Sequence, residues 1–139
     1  MNGRKILDYI SKDTLLSEKC FGVFAIDRLP LKKIAADNFC LCNTDLWENV
    51  GKHWILIYFP SQGPVEFFDP LGQKPSSQFE IFMGHSYMFN MRRFQPFNSI
   101  SCAFYCIFFA YMKCHSIPFQ NVLSLFGSER QVIKFVKML

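Results

Sequence analysis

Three side-chain types in this chain can make and break an acyl bond together: thiols, imidazoles and carboxylates. A thiol does so as its thiolate, and the N-terminus of a helix favours that form through its free N–H groups and macrodipole. Of the six cysteines, at 20, 40, 42, 102, 106 and 114, only Cys102 has this position. It follows the loop Asn98-Ser99-Ile100-Ser101 and opens an apolar stretch that reads as a helix. Cys106 lies one turn deeper on the same face. Cys114 is at the far end, where the dipole opposes an anion. Both read as small core residues, since free cysteine is among the most buried types. Cys40 and Cys42 form a CxC with no second CxxC or paired histidine, so no metal site is expected.

A thiol nucleophile needs a base, and there are three histidines. His115 lies 13 residues beyond Cys102. At 1.5 Å per residue that is roughly 20 Å along one helix, which excludes it. His85 sits in Met83-Gly84-His85-Ser86-Tyr87 and reads as an exposed loop histidine. His53 begins a strand, at a sheet edge. The strand is part of the clearest local pattern in the chain. His53–Phe59 is rich in β-branched and aromatic residues, Pro60–Pro64 is turn chemistry, and Val65–Phe68 is a second strand closed by Asp69-Pro70-Leu71-Gly72. If Phe59 faces Val65 across that turn, His53 faces position 71. Asp69 is then at a diagonal to the imidazole, within side-chain reach. The plainer role of Asp69 is to start its own turn; with His53 opposite, orientation of the imidazole is favoured. The backbone N–H of Cys102 is one donor for an oxyanion, and the side-chain amide of Gln95, seven residues upstream, is a second. Trp54 reads either as packing beside the histidine, flooring a substrate cleft, or as core.

The remaining elements must hold these groups in place. Ile6, Leu7, Ile10 and Leu15 predict an amphipathic helix over residues 3–17. Phe21–Pro30 reads as extended and then turning, and 38–43 as a short strand. A third strand is predicted over Tyr87–Phe94. Cys102–Lys113 is apolar all round and should be buried on every side. Pro118 starts another helix, Gly127 ends it, and Ser128 caps the last one, with Gln131 completing a capping box. The sum is an α+β class: a small mixed sheet packed on a buried central helix, in one domain spanning 1–139.

Half of the 139 residues are apolar and 17 are Phe, which supplies one core and excludes disorder. The longest apolar run, Ala103–Met112, is half of what a membrane span needs, and the N-terminus lacks the apolar stretch of a signal peptide. No membrane partner is expected, and the cysteines are expected to be thiols in a reducing compartment. The net charge of +4 is spread over pairs such as Arg4-Lys5, Lys32-Lys33 and Arg92-Arg93. This supports at most weak attraction to nucleic acid.

His53-Trp54, then Phe67-Phe68-Asp69-Pro70-Leu71-Gly72, then Gln95-x6-Cys102, in that order and spacing, resemble the adenovirus protease (adenain) family within the Ulp/SUMO-protease-like clan of cysteine peptidases. Phe24–Pro30, Asn98–Cys102 and the Ser128–Leu139 helix extend the resemblance over nearly the whole chain. It implies an adenain/Ulp-like fold, with a His53–Asp69–Cys102 triad and Gln95 at the oxyanion hole. It also implies a cysteine-type endopeptidase (thiol protease) of a DNA virus or a virus-like transposon. The enzyme would mature viral precursor proteins as a monomer, in the cytoplasm or nucleus of a host and in the virion. The chain departs from the family in having Ala103 where Gly is usual, and in a shorter segment between Asp69 and Gln95 that contains no cysteine. The disulfide-joined activating peptide of adenovirus enzymes has no attachment point there. The sequence therefore requires no cofactor, and a peptide or DNA activator is in doubt. Two alternatives share these residues: a peptidase that removes ubiquitin-like modifiers, and an inactive fold used as a capsid or DNA-binding partner.

Overall fold

The computed structural model describes residues 1–45 and 53–139. Its centre is a sheet of five strands in sequential order: β1 (Cys20–Ala25), β2 (Asn38–Asn43), β3 (Trp54–Phe59), β4 (Val65–Phe68) and β5 (Tyr87–Phe89). The outer pairs, β1–β2 and β4–β5, are parallel, and the inner pairs are antiparallel. The sheet is therefore mixed, as expected. β3 lies in the middle of the sheet, so His53 stands at the end of a central strand and not on an edge strand.

Side chains alternate across each strand and meet a different layer on each face. Phe39, Leu41, Trp54, Leu56, Tyr58 and Phe68 face the main helical layer. That layer is α1 (Gly3–Ile10), α2 (Thr14–Lys19), α4 (Cys102–Cys114), α5 (Phe119–Leu125) and α6 (Glu129–Lys137). Cys40, Cys42, Ile55, Ile57 and Phe67 face a smaller core closed by Phe79 and Met83 of α3 (Ser77–Met83). Coverage on both sides explains why β3 reads as an unbroken apolar run.

Three elements differ from the sequence reading. The single helix over 3–17 is two helices, because Asp13 accepts a bond from Leu16 N–H and starts a new one. The strand over 87–94 ends at Phe89, because the Asn90 side chain bonds backbone on a neighbouring turn. α3 is an element the sequence reading does not include. Its signals are short: Pro75 and Ser76 at the start, and Phe79 and Met83 one turn apart.

α4 is buried along most of its length, with Phe104, Tyr111, Met112 and Cys114 partly exposed. The ring of Phe68 stacks on Phe109 of α4 at 4.5 Å and on Phe126 at 5.3 Å between centroids. This fixes the end of β4, and so Asp69, relative to the helix. At the other end of α4, buried Lys113 pairs with buried Glu66 of β4 at 3.0 Å. Burial raises the Glu66 carboxyl, and Lys113 opposes that rise.

The turn after β4 is held by Gly72, whose φ of +73° suits glycine. A Cβ there would lie 2.7–2.8 Å from the backbone of Arg92 and Arg93, whereas a Cβ at Gly63, also at positive φ, would meet nothing within 4 Å. Gly72→Ala should therefore cost roughly 2–4 kcal/mol, strain plus overlap, and Gly63→Ala about 1 kcal/mol, strain alone. Equal costs for the two in urea unfolding would contradict this packing.

Candidate active site

The hairpin register is the one the turn length implied. Leu56 pairs with Phe68, Ile57 with Phe67 and Tyr58 with Glu66, which places position 71 opposite His53. His53 Nε2 lies 2.6 Å from Asp69 Oδ1 across that diagonal. The imidazole is 15% exposed and the carboxylate 5%. Asp69 also starts its turn: the same Oδ1 accepts from Leu71 N–H at 2.8 Å, and the Asp69 carbonyl accepts from Gly72 N–H. The turn role and the imidazole role are thus filled by one residue.

Asn90 fixes the backbone of that residue. It accepts from Asp69 N–H at 2.9 Å and donates to the Asp69 carbonyl at 2.6 Å and the Arg92 carbonyl at 3.0 Å. Sequence reading missed it, although an asparagine inside an apolar strand pattern is itself a warning. The carbonyl of Pro70 then accepts from Phe94 N–H and Gln95 N–H, at 2.9 and 3.0 Å. The Asp-Pro-Leu-Gly turn therefore sets the backbone of Gln95 as well as the carboxylate.

Cys102 is the first residue of α4 and is 4% exposed. Its sulfur accepts a hydrogen bond from Trp54 N–H at 3.4 Å. One turn deeper, Cys106 donates its S–H to the carbonyl of the same Trp54, also at 3.4 Å. The two cysteines therefore grip one residue of β3, its N–H at one and its C=O at the other. Burial holds the Cys106 thiol well above its ordinary range, and nearby Cys102 and Asp69 push the same way. It remains a donor, and its core reading acquires a positioning part. Trp54 is a core residue: its ring is 5% exposed and Nε1–H donates to the Met1 carbonyl at 2.8 Å. Its contribution at the site is its backbone amide and not a cleft wall.

Burial of His53 would favour neutral imidazole. The hydrogen bond to Asp69 and the nearness of Asp69 and Cys102 outweigh it, and raise the imidazole to about 9. With Nε2 on Asp69, Nδ1 is the nitrogen left for the thiol. His115 caps the C-terminal end of α4 with its ring 4.4 Å from Tyr111, and His85 is exposed in its loop.

Gln95 is 3% exposed, and its side chain folds back on the loop that precedes Cys102, Nε2–H donating to the Ser99 carbonyl at 2.7 Å. An amide nitrogen has two N–H bonds, so one remains for another acceptor. A cavity of about 280 Å³ opens beside His53 and Asp69, with Ile26, Ile55, Phe67 and Phe79 among its walls. Cys40 and Cys42 are buried with their sulfurs 3.7 Å apart, on the other face of the sheet from α4.

No family model matches the chain, and no curated protein matches it. Solved structures do. A crystal structure of the ASFV pS273R protease superposes on 92% of this chain with a TM-score of 0.65 at 15% identity. A selenomethionine crystal structure of the same protease covers 71% of it, with a TM-score of 0.58 at 21% identity. The chain has the fold of the ASFV pS273R protease. This is the α+β, adenain/Ulp-like fold implied by the order of its motifs. The chain spans 42% and 64% of the lengths of those two structures, less than two thirds of either.

The bonds around His53 make stability depend on pH. Its pKa is raised on folding, so its contribution is complete below about 6.5 and is lost as pH rises through about 9. The excess Tm of the wild type over Asp69→Asn should be constant at pH 5–6.5 and shrink by pH 9. A difference that grows over that range would contradict the placement of the proton.

Proposed function

We propose that this chain is a cysteine endopeptidase that processes precursor proteins of a DNA virus or a related element. The observation that carries the reading is one imidazole bonded to a buried carboxylate, beside a thiol at the head of a buried helix that accepts the N–H of Trp54, the residue that follows His53. The fold it sits on is that of a viral protease.

In the reaction we infer, His53 takes the proton of Cys102. The thiolate attacks a peptide carbonyl and forms a tetrahedral oxyanion. The Cys102 N–H and the Gln95 amide stabilise that charge. Collapse expels the amine, which takes its proton from His53 and leaves a thioester on Cys102. Water, deprotonated by His53, then releases the acid and restores the thiol pair. Asp69 keeps the proton-bearing Nε2 in place. The substrate class, viral precursors cut after small residues, rests on the resemblance of the motifs. So do the intracellular setting, in a host cell or virion, and action as a monomer.

Cys102→Ala should lower cleavage of a Gly-Gly-containing peptide by roughly 10⁴-fold or more, with the fold unchanged. Cys106→Ala loses one buried hydrogen bond and should stay within about 10-fold of wild type. Turnover surviving in Cys102→Ala, or absent from a folded Cys106→Ala, would overturn the assignment. Release of a ubiquitin or SUMO reporter in preference to the peptide would move the substrate class to modifier removal.

A further inference from the structure

Ser101 stands at the N-cap of α4, where a serine hydroxyl ordinarily accepts from the second or third helical N–H. Here it does not: no side chain caps this helix. The Ser101 hydroxyl instead donates to Oε1 of Glu129, in the first turn of α6, at 2.6 Å. The Ser99 hydroxyl donates to the same oxygen at 2.7 Å and accepts from Ser101 N–H at 3.0 Å. Two serines 28 and 30 residues away in sequence are thus drawn to one carboxylate oxygen.

Each serine leads to one of the two donors assigned above to the oxyanion. The first intrahelical bonds of α4 run from Phe104 and Tyr105 N–H to the Ser101 carbonyl, so the N–H of Cys102 precedes the hydrogen-bond ladder. With the Ser101 hydroxyl turned to Glu129, no cap competes for the helix start. Ser99, for its part, holds the Gln95 amide through its carbonyl at 2.7 Å. The capping rule is broken where an uncapped helix start has a use, and α6 provides the acceptor that compensates. Glu129 makes no ion pair among the described residues that would divert it. It sits within the N-terminal turn of a nine-residue helix, where a carboxylate is favoured.

We propose that Glu129 is a positioning residue for the oxyanion hole: through Ser101 and Ser99, one carboxylate oxygen aligns the Cys102 N–H and the Gln95 amide. The proposal rests on the peptidase reading of the Cys102 site. It concerns the tetrahedral intermediate and not the thiolate, and this separates it from a general structural role.

The test compares Glu129→Ala, Glu129→Gln and Ser101→Ala with wild type. Glu129→Ala should lower kcat by about 10- to 100-fold with KM within a few-fold, since misaligned oxyanion donors act on the transition state. A peptide aldehyde, whose thiohemiacetal oxygen occupies the same hole, should lose affinity by a similar factor. Alkylation of Cys102 by iodoacetamide has no oxyanion and should stay within about 2-fold of wild type. Glu129→Gln keeps an acceptor oxygen and should recover most of the loss. Ser101→Ala should lower kcat alone, and add little in the Glu129→Ala background. Wild-type kcat in Glu129→Ala, or an equal fall in alkylation, overturns the proposal and leaves the peptidase reading standing. A folded wild type that neither cleaves peptide nor binds the aldehyde overturns both.

Discussion

The site depends on the grip of one helix on the backbone of one strand residue. α4 and β3 belong to different layers, and a thiol on one is useful to an imidazole on the other only if the layers cannot slide. Trp54 offers its N–H to Cys102 and its C=O to Cys106, one helical turn apart. Two sulfur contacts at i and i+4 fix both the distance and the register of the helix against the strand. The Phe68 stack and the Lys113–Glu66 pair secure β4 to the same helix farther along. A slip of one residue in β3 would turn His53 to the wrong face.

Given that frame, the electrostatics follow. His53 stands between two groups that favour its charge, and their sum exceeds the cost of its partial burial. Cys106, close to the same acidic partners and fully buried, is driven the other way and stays a thiol. Two cysteines on one helix face have different surroundings: Cys102 lies at the helix mouth, on the N–H of Trp54, and Cys106 meets the carbonyl of the same residue in the core.

What could be read from the sequence was local. The five-residue turn Pro60–Pro64 determined the hairpin register, and the register placed Asp69 beside His53. Helix length excluded His115, and the capping box at Ser128 is present as read. What could not be read depends on distant backbone. Asn90 looked like part of a strand because its partner, the Asp69 backbone, is 21 residues away. Ser101 read only as the end of a loop, because its partner Glu129 is 28 residues away, on α6. Trp54 was balanced between cleft and core until the Met1 carbonyl took its indole N–H. Asp13 split a helix whose apolar periodicity runs across the break. At Asn90, Ser101 and Trp54 a polar group chose a tertiary partner over a local one, whereas Asp13 makes a local cap; apolar periodicity records neither.

The central claim is that one thiol of six is activated, and that the imidazole beside it does the activating. Mass spectrometry after brief treatment with a thiol-reactive peptide probe at neutral pH tests it most directly. The account predicts the label on Cys102, with Cys20, Cys40, Cys42, Cys106 and Cys114 unmodified, and little label anywhere in a folded His53→Ala variant. Equal labelling of the half-exposed Cys20 and Cys114, or undiminished labelling of Cys102 without His53, would contradict it.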